Sequence, residues 1–181
     1  MMGLSAMPYW VETRDLAKTS EGTPPEMAIV PCPTGGRNLA AAIRLLKGHG
    51  IDSLVSLLSA EEVKVLGLAE EERRCGDAGI AFRWFPVDDH SIPVSMDDFR
   101  ALVGDLQHDL RAGKAVGAHC FAGIGRSCMF MAALLCAEGL SADEAFSRLS
   151  AARGLTVPDT WLQSQWVEHF AESLADRGGP L

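Results

Sequence analysis

The most informative part of the sequence is the segment Val116-Gly-Ala-His-Cys-Phe-Ala-Gly-Ile-Gly-Arg-Ser127. A short apolar run precedes Cys120, five residues separate this cysteine from Arg126, and a long apolar run follows. This order predicts a strand, a tight loop and a helix. The N–H groups of such a loop would point into a bowl at the helix N-terminus, where the helix dipole favours an anion.

Two residues of this segment can carry chemistry. The guanidinium of Arg126 is a planar donor that can hold two phosphate oxygens, and the field that attracts phosphate also stabilises a thiolate at Cys120. Gly123 and Gly125 suit a backbone that approaches a ligand closely. The segment therefore predicts a nucleophile beneath a phosphorus atom. The alternative is a small buried cysteine on a structural turn, which would need neither Arg126 nor Ser127.

The pattern His-Cys-x5-Arg-Ser resembles the signature of the cysteine-dependent protein tyrosine and dual-specificity phosphatases. The longer run His119-Cys-Phe-Ala-Gly-Ile-Gly-Arg-Ser-Cys128 is similar to the group of the cyclin-dependent-kinase-associated phosphatase (KAP) and its bacterial relatives, and the similarity extends from about Ile29 to Phe170. This resemblance implies hydrolysis of phosphate monoesters through a cysteinyl-phosphate intermediate, without a cofactor.

Composition is ordinary for a globular protein. The chain has 181 residues, of which 48% are hydrophobic and 22% charged, and this suits one domain with a sizeable core. No run reaches the length of a membrane span, and the N-terminus does not resemble a signal peptide. We therefore expect a cytoplasmic protein without membrane contact.

The net charge of −8 restricts the possible partners. A nucleic-acid-binding protein would carry a basic patch. Lipid phosphatases that resemble this family often carry lysines in this loop to meet further phosphates, and residues 121–125 include none. With the acidic net charge, the resemblance makes polyphosphorylated lipids unfavourable ligands. A phosphorylated protein or a small aryl phosphate fits better, and Phe121 could contact an aromatic ring. The oligomeric state stays open.

The cysteines and histidines suggest no metal site. The five cysteines are odd in number and include no Cys-x-x-Cys pair, so neither a disulfide framework nor a zinc site is expected. The histidines show no metal-ligand spacing either. Cys75 and Cys128 leave two possibilities: either could trap an oxidised Cys120 as a disulfide, or both are small core residues.

Strands and helices alternate along the chain. We expect strands at 27–30, 51–58, 80–87 and 115–119, and helices at 39–49, 69–78, 95–112, 128–137, 141–152 and 160–176. Ser59 and Glu62 fit a capping box. The alternation predicts an α/β fold, in which helices flank a largely parallel central sheet and the phosphate-binding loop joins a strand to a buried helix.

The ends of the chain are expected to lie outside this domain. Residues 1–25 are interpreted as an N-terminal arm in which 9–11 cover a sheet edge, residues 26–176 as the catalytic domain, and residues 177–181 as a frayed tail. Trp161, Leu162, Trp166, Val167 and Phe170 are available for the apolar face of the last helix.

Two neighbouring aspartates are candidates for the general acid. Thiolate attack needs an acid for the leaving oxygen, and the loops after parallel strands meet at one edge of a sheet. Only one of Asp88 and Asp89 should face the cysteine loop, and physics alone does not choose between them. The run Pro86-Val-Asp-Asp-His-Ser-Ile-Pro93 is similar to the phosphatase acid loop, and this resemblance gives the role to Asp89. The alternative is that the pair caps a turn.

Other residues are expected to bind the phosphoryl group or to order the loop. The substrate-binding residues are Phe121, Ala122, Gly123, Ile124, Gly125 and Arg126, and Arg126 would stabilise the transition state. Ser127 can donate to the thiolate or cap the helix. His119 is expected to order the loop through its ring nitrogens.

A late glutamine completes the expected site. Gln163 resembles the family's glutamine that helps position water, and Asp159 is the alternative for this place. Gln163 could instead be a polar residue on a surface helix face.

Two other functions remain as alternatives. A sulfurtransferase or an arsenate reductase also places a cysteine on an anion-binding loop, although rhodanese-type loops are usually one residue shorter and the reductases usually carry Cys-x5-Arg near the N-terminus. A catalytically weak phosphopeptide-binding module would need no acid, whereas every expected catalytic residue is present here.

Overall fold

The computed structural model describes residues 7–175. Residues 1–6 of the expected arm and the expected frayed tail at 177–181 lie outside this part. The strands are β1 (Tyr9–Trp10), β2 (Met27–Ile29), β3 (Ser53–Ser56), β4 (Ala81–Trp84) and β5 (Val116–His119). The helices are α1 (Leu39–Gly48), α2 (Ala60–Val65), α3 (Glu71–Ala78), α4 (Met96–Arg111), α5 (Arg126–Ala137), α6 (Ala142–Arg153) and α7 (Trp161–Ala175), with a 3-10 turn at Gly36–Asn38.

The strands form a single sheet in the order β1-β2-β5-β3-β4. β2, β5, β3 and β4 are parallel, and β1 pairs antiparallel with β2 at one edge. The predicted α/β fold with a largely parallel sheet is therefore confirmed, as is the edge position of residues 9–10. β5 lies at the centre of the sheet, where the loop after it is flanked by the loops after β2 and β3.

The strands are shorter than the apolar runs that predict them. The run 51–58 contributes Ser53–Ser56, and the run 80–87 contributes Ala81–Trp84. Leu57 and Val87 lie beyond these strands, yet both are buried. Apolar runs therefore predict which residues are buried, whereas the length of a strand depends on its neighbours in the sheet.

Helices cover both faces of the sheet. α1, α2 and α3 pack against one face, and α4 to α7 pack against the other. Every residue of α5 is buried, as a helix that is apolar on all sides requires. None of the helices between residues 7 and 175 is long and apolar enough to cross a membrane.

The alternation of side chains along β5 sends neighbouring residues to opposite faces. Val116, Ala118 and Cys120 belong to the core on the α5 side of the sheet. His119 lies on the other side, where its ring contacts Glu71 of α3. The two adjacent residues His119 and Cys120 therefore have different surroundings, although both are buried.

The last helix buries part of the expected face, because Val167 and Phe170 are buried as predicted and Trp166 packs against the core. Trp161 and Leu162 are 71% and 44% exposed, so their predicted place on an apolar face is wrong. The buried residues of α7 are Gln163, Val167, Phe170 and Leu174. Phe170 packs edge-on against Phe99 of α4, with 5.5 Å between ring centroids, and this packing orients the helix.

Residues 7–25 lie against α6. Val11 and Leu16 are buried. Arg148 of α6 pairs with Asp15 at 2.6 Å and donates to the carbonyl of Glu12 at 2.9 Å. The described part of the N-terminal segment is thus packed on the rest of the protein.

Candidate active site

The loop between β5 and α5 is shaped by Gly123 and by an arginine from α6. Gly123 has a φ of +68°, a conformation that favours glycine. Arg153 donates from Nε to the carbonyl of Gly123 at 2.9 Å and from Nη2 to the carbonyl of Ala122 at 3.0 Å. Among residues 7–175, no hydrogen-bond acceptor pairs with the backbone N–H groups of 121–126. Consecutive free donors of this kind form an anion-binding nest.

Sequence reasoning missed Arg153. It lies in the last turn of α6 before Gly154, where a basic side chain normally suggests only favourable interaction with the helix C-terminus. Its guanidinium carbon lies 4.4 Å from the centroid of the Tyr9 ring, a cation–π contact. β1 therefore supports the loop through Arg153.

Cys120 and Ser127 lie side by side at the base of the loop. Cys120 is 3% exposed, and its Sγ is 3.4 Å from Oγ of Ser127. The residue at the N-cap of α5 is Gly125, and Ser127 is the second residue of the helix. The alternative role of Ser127 as an N-cap is therefore wrong, and its hydroxyl can donate to a thiolate at Cys120.

Arg126 is 1% exposed and is held by a carboxylate from α2. Its Nη1 and Nη2 donate to the two carboxylate oxygens of Glu62 at 2.6 and 2.8 Å, and Nη1 also donates to the carbonyl of Val87 at 2.9 Å. Within the described chain, Nε of Arg126 has no partner. A buried donor is destabilising when it stays unpaired, so this atom is suited to a phosphoryl oxygen.

Glu62 was expected only as a capping residue, and the capping box with Ser59 is confirmed. The hydrogen bonds from Arg126 lower the pKa of Glu62 to about 2, against the opposing effect of burial. Burial would lower the pKa of Arg126, but the Glu62 carboxylate, Cys120 and Asp89 outweigh it and raise that pKa. Glu62 thus keeps a buried guanidinium charged and oriented. One sequence signal points to this role. Glu62 follows β3, and the loops after β3 and β5 meet at the same edge of the sheet.

The acid loop places Asp89 against Arg126. Oδ1 of Asp89 lies 3.0 Å from Nη2 of Arg126, and the Asp89 side chain is 55% exposed. His90 has a φ of +57°, which is unusual for a residue other than glycine, and its N–H donates to Asp89 Oδ1 at 3.1 Å. Through its side chain, Asp88 makes no hydrogen bond or ion pair with any residue between 7 and 175. Of the two aspartates, the structure brings Asp89 to the cysteine loop.

His119 and Glu71 form a buried ion pair behind the loop. Nε2 of His119 lies 2.8 Å from Oε1 of Glu71, in the geometry of an ion pair rather than of a linear hydrogen bond. Nδ1 lies 3.3 Å from the carbonyl oxygen of Cys120. Burial would lower the pKa of His119, but the Glu71 carboxylate and the Cys32 sulfur raise it to about 10. A charged His119 is therefore suited to hold the Cys120 carbonyl, and Glu71 is a second carboxylate that sequence reasoning missed.

Gln163 and Asp159 both reach the loop at Gly125. A Cβ atom on Gly125 would lie 2.5 Å from Oδ2 of Asp159 and 3.0 Å from Oε1 of Gln163, so glycine is needed for their close approach. Gln163 is fully buried, and its predicted alternative position on a surface helix face is wrong. Its Nε2 donates to the carbonyl of Ser91 at 3.2 Å, while Oε1 is unpaired among the described residues. Either side chain can therefore orient a water molecule at the loop.

Cys75 and Cys128 have the character of core residues. Burial, followed by the Glu71 carboxylate, raises the pKa of Cys75 to about 12, and burial raises the pKa of Cys128 above its ordinary range. Cys75 belongs to the core on the α3 side of the sheet, opposite to Cys120. Across residues 7–175, no cluster of three or more His, Cys, Asp or Glu side chains is arranged to hold a metal ion.

Two cavities differ in their relation to these residues. A groove of about 360 Å³ adjoins Asp89 and Phe121, and Phe121 is 58% exposed at its rim. A larger cavity of about 890 Å³ lies between the N-terminal segment and α6, and none of the predicted site residues lines it. The smaller groove therefore lies beside the predicted catalytic residues.

Comparison with known proteins gives the family and the fold. The model of the family "Dual specificity phosphatase, catalytic domain" matches residues 40–172. No curated protein sequence matches the chain significantly. The solved structure of kinase associated phosphatase (KAP), with its catalytic-site cysteine replaced by serine, is similar with a TM-score of 0.82 at 20% identity, over 94% of this chain and 96% of that chain.

Two other solved structures are similar over most of their length. PTPMT1 in complex with PI(5)P has a TM-score of 0.71 at 19% identity, over 84% of this chain and 94% of that chain. Tk-PTP in its active form has a TM-score of 0.66 at 24% identity, over 81% of this chain and 91% of that chain. At these identities, the structural similarity establishes the fold alone.

Proposed function

Since the chain belongs to the dual-specificity phosphatase catalytic-domain family, it is a cysteine-dependent phosphatase, and we propose that Cys120 is its nucleophile. The family match does not favour a sulfurtransferase, an arsenate reductase or a phosphopeptide-binding module. The KAP-like resemblance of the loop agrees with the similarity of the whole fold to KAP. The roles of individual residues are our proposal.

The unpaired donors around Cys120 carry this proposal. Within residues 7–175, the N–H groups of 121–126 and Nε of Arg126 have no protein acceptor. They belong to the loop that follows Cys120, a residue that is 3% exposed. A phosphoryl group bound there would satisfy these donors, and its charge would be stabilised as the transition state forms.

The first step transfers the phosphoryl group to sulfur. The Cys120 thiolate attacks phosphorus, the S–P bond forms and the P–O ester bond breaks. Asp89 gives its proton to the leaving oxygen, because an alkoxide or phenolate leaves poorly near neutral pH. Asp89 is assigned this role because its carboxyl lies 3.0 Å from Arg126, the side chain proposed to bind the phosphoryl group.

The second step releases phosphate. Water attacks the phosphorus, Asp89 accepts its proton, and the S–P bond breaks to regenerate the thiolate. Ser127 stabilises the departing thiolate by donating a hydrogen bond, as their 3.4 Å separation allows. Gln163 or Asp159 orients the attacking water, and His119 with Arg153 keeps the loop in shape.

The proposed substrate is a phosphorylated protein or a small aryl phosphate. The loop from Phe121 to Gly125 offers no lysine for further phosphates, and the net charge is −8. We therefore propose neither nucleic acid nor a membrane as a partner, and a cytoplasmic location stays part of this proposal.

The test is turnover of an aryl phosphate by the wild-type protein and by Cys120→Ser. Wild type should release the phenol with a burst and hydrolyse the substrate with EDTA present. Cys120→Ser should lose turnover by about 10⁴-fold or more and still bind vanadate, because the donors are unchanged.

Three outcomes would contradict the proposal. Loss of wild-type activity on chelation would contradict a metal-independent mechanism. Transfer of sulfur to cyanide, without phosphatase activity, would indicate a sulfurtransferase. Phosphopeptide binding without a burst would indicate a binding module.

A further inference from the structure

A groove lies beside the proposed active site, between α2 and the cysteine loop. We call it the side groove, and its lining residues are Ser59, Glu61, Glu62, Val65, Leu66, Asp89 and Phe121. Its volume of about 360 Å³ is at the lower end of the range of ligand pockets, ~300–1,000 Å³. It can therefore hold a substrate side chain.

The side groove adjoins the active site. Asp89 lines it and also contacts Arg126 at 3.0 Å, and Phe121 follows Cys120 directly in the chain. An extended peptide advances about 3.3 Å per residue. Because the groove adjoins the active site, the side chain that enters it belongs to a residue close to the phosphorylated one in the peptide.

The groove has apolar walls that are open to solvent. Val65 is 78% exposed and Phe121 is 58% exposed, while Leu66 is half-buried. A substrate with an aliphatic side chain would cover this apolar surface favourably.

The charged residues that line the groove are all acidic. Glu62 and Asp89 are paired with Arg126. Glu61 is exposed and has no ion pair within the described part of the chain. An acidic side chain in this groove would meet a negative potential, whereas a basic one would find an unpaired carboxylate.

We propose that the side groove binds a lysine or arginine side chain of a phosphoprotein, at a position flanking the phosphorylated residue. The aliphatic stem of such a side chain covers Val65 and Phe121 while its charge reaches Glu61. This inference rests on the proposed phosphatase function and defines its substrate class.

The first test compares phosphopeptides that differ at one flanking position. Lysine, norleucine and glutamate are placed there in turn, in one set on the N-terminal side and in another on the C-terminal side. In one of the sets, kcat/KM should be about three- to tenfold higher for lysine than for glutamate, with norleucine between them. The difference should shrink in about 0.5 M salt. Equal kcat/KM values throughout both sets would overturn the inference.

Variants of the groove identify the residues responsible. Glu61→Gln should abolish the advantage of lysine over norleucine, and Glu61→Lys should reverse the order of lysine and glutamate. Val65→Ser should lower kcat/KM for the lysine and norleucine peptides together. Glu72→Gln, which removes an exposed carboxylate of α3 outside the groove, is the matched control and should leave all preferences unchanged. Loss of the lysine preference in Glu72→Gln to the same extent would contradict a local effect.

An aryl phosphate without flanking residues separates the two proposals. If wild type does not hydrolyse it, the proposed function fails. If wild type hydrolyses it and the peptides show no preference, the phosphatase proposal stands and only the inference about the groove fails.

Discussion

The loop that presents the thiol and the loop that presents the acid are built in opposite ways. Cys120 and Arg126 are 3% and 1% exposed. Cys120 directly follows the central strand of the sheet, and Arg126 is the first residue of a fully buried helix. Asp89 is 55% exposed, and its neighbours Asp88 and His90 are exposed as well. The two loops meet at the guanidinium of Arg126.

This difference follows from what each loop has to do. A nucleophile and an anion-binding group need a fixed geometry, which a buried framework provides. An acid that exchanges a proton with water and admits substrate needs solvent access. Glu62 holds Arg126 from the framework side and Asp89 contacts it from the solvent side. Changes in the framework should therefore affect stability and activity together, whereas changes in the acid loop should affect activity alone.

Apart from loss of the Cys120 nucleophile, the largest effect is expected for Asp89→Ala. Loss of the proton donor should lower kcat by about 10²–10³-fold, with little change in the melting temperature because the side chain is exposed. The loss should shrink for an aryl phosphate whose phenol is a strong acid, since such a leaving group needs no proton. Rates for a series of leaving groups measure this.

Asp88→Ala is the matched control for that prediction. It removes an equal charge from the same loop, and it should leave kcat nearly unchanged. An equal loss of kcat from both variants would remove the basis for assigning the acid to Asp89.

An intermediate effect is expected for Glu62→Gln, which alters the junction of the two loops. Arg126 would lose a charged partner, so kcat/KM should fall about tenfold and the free energy of unfolding by about 1–2 kcal/mol, less than for a fully buried pair. Because Arg126 lowers the pKa of Glu62 to about 2 from 4.5, this stabilisation is present above about pH 4.5 and is lost as the pH falls through about 2. Urea unfolding at several acidic pH values tests this, with Glu61→Gln as control. A variant as stable as wild type at pH 7 would contradict the prediction.

The smallest effect on activity is expected for His119→Asn, which changes the framework behind the loop. The pKa of His119 is raised from 6.5 to about 10, so the stabilisation is full below about pH 6.5 and is lost as the pH rises through about 10. The variant should lack this decline and should be less stable near pH 6 by on the order of 2 kcal/mol. Free energies of unfolding between pH 6 and pH 10 measure it. The control is His169→Asn, which changes a solvent-exposed ring and should keep the wild-type slope of unfolding free energy against pH. Parallel slopes for wild type and His119→Asn would show that the buried pair does not titrate in this range.

Features that depend on contacts between residues close in the chain could be predicted from the sequence, whereas features that depend on distant contacts could not. The strand, loop and helix around Cys120 follow from one continuous apolar pattern, and the capping box at Ser59 and Glu62 follows from two residues three positions apart. The resemblance, not the pattern, gave preference to Asp89 over Asp88. Nothing local indicated that Glu62 would pair with Arg126, because 64 positions separate them in the chain.

The buried face of α7 is a second feature that the local sequence pattern did not predict fully. Its aromatic residues suggest a buried stripe that includes Trp161 and Phe170, yet Trp161 is exposed and the polar Gln163 is buried together with Phe170. The orientation of this helix depends on packing against α4 and α5, and a hydrophobic pattern within one helix carries no information about its neighbours.

From the sequence alone come the fold class, the cysteine loop and the burial of α5, because each depends on residues adjacent along the chain or within one helix. Only the tertiary structure shows which carboxylates contact Arg126, that Arg153 contacts the loop, and which face of α7 is buried. The pairing of Glu62 with Arg126 depends on the order β2-β5-β3 within the sheet, whereas the inner face of α7 depends on its packing against α4 and α5. Such long-range pairing is a property of the packed core and is not encoded in any local pattern.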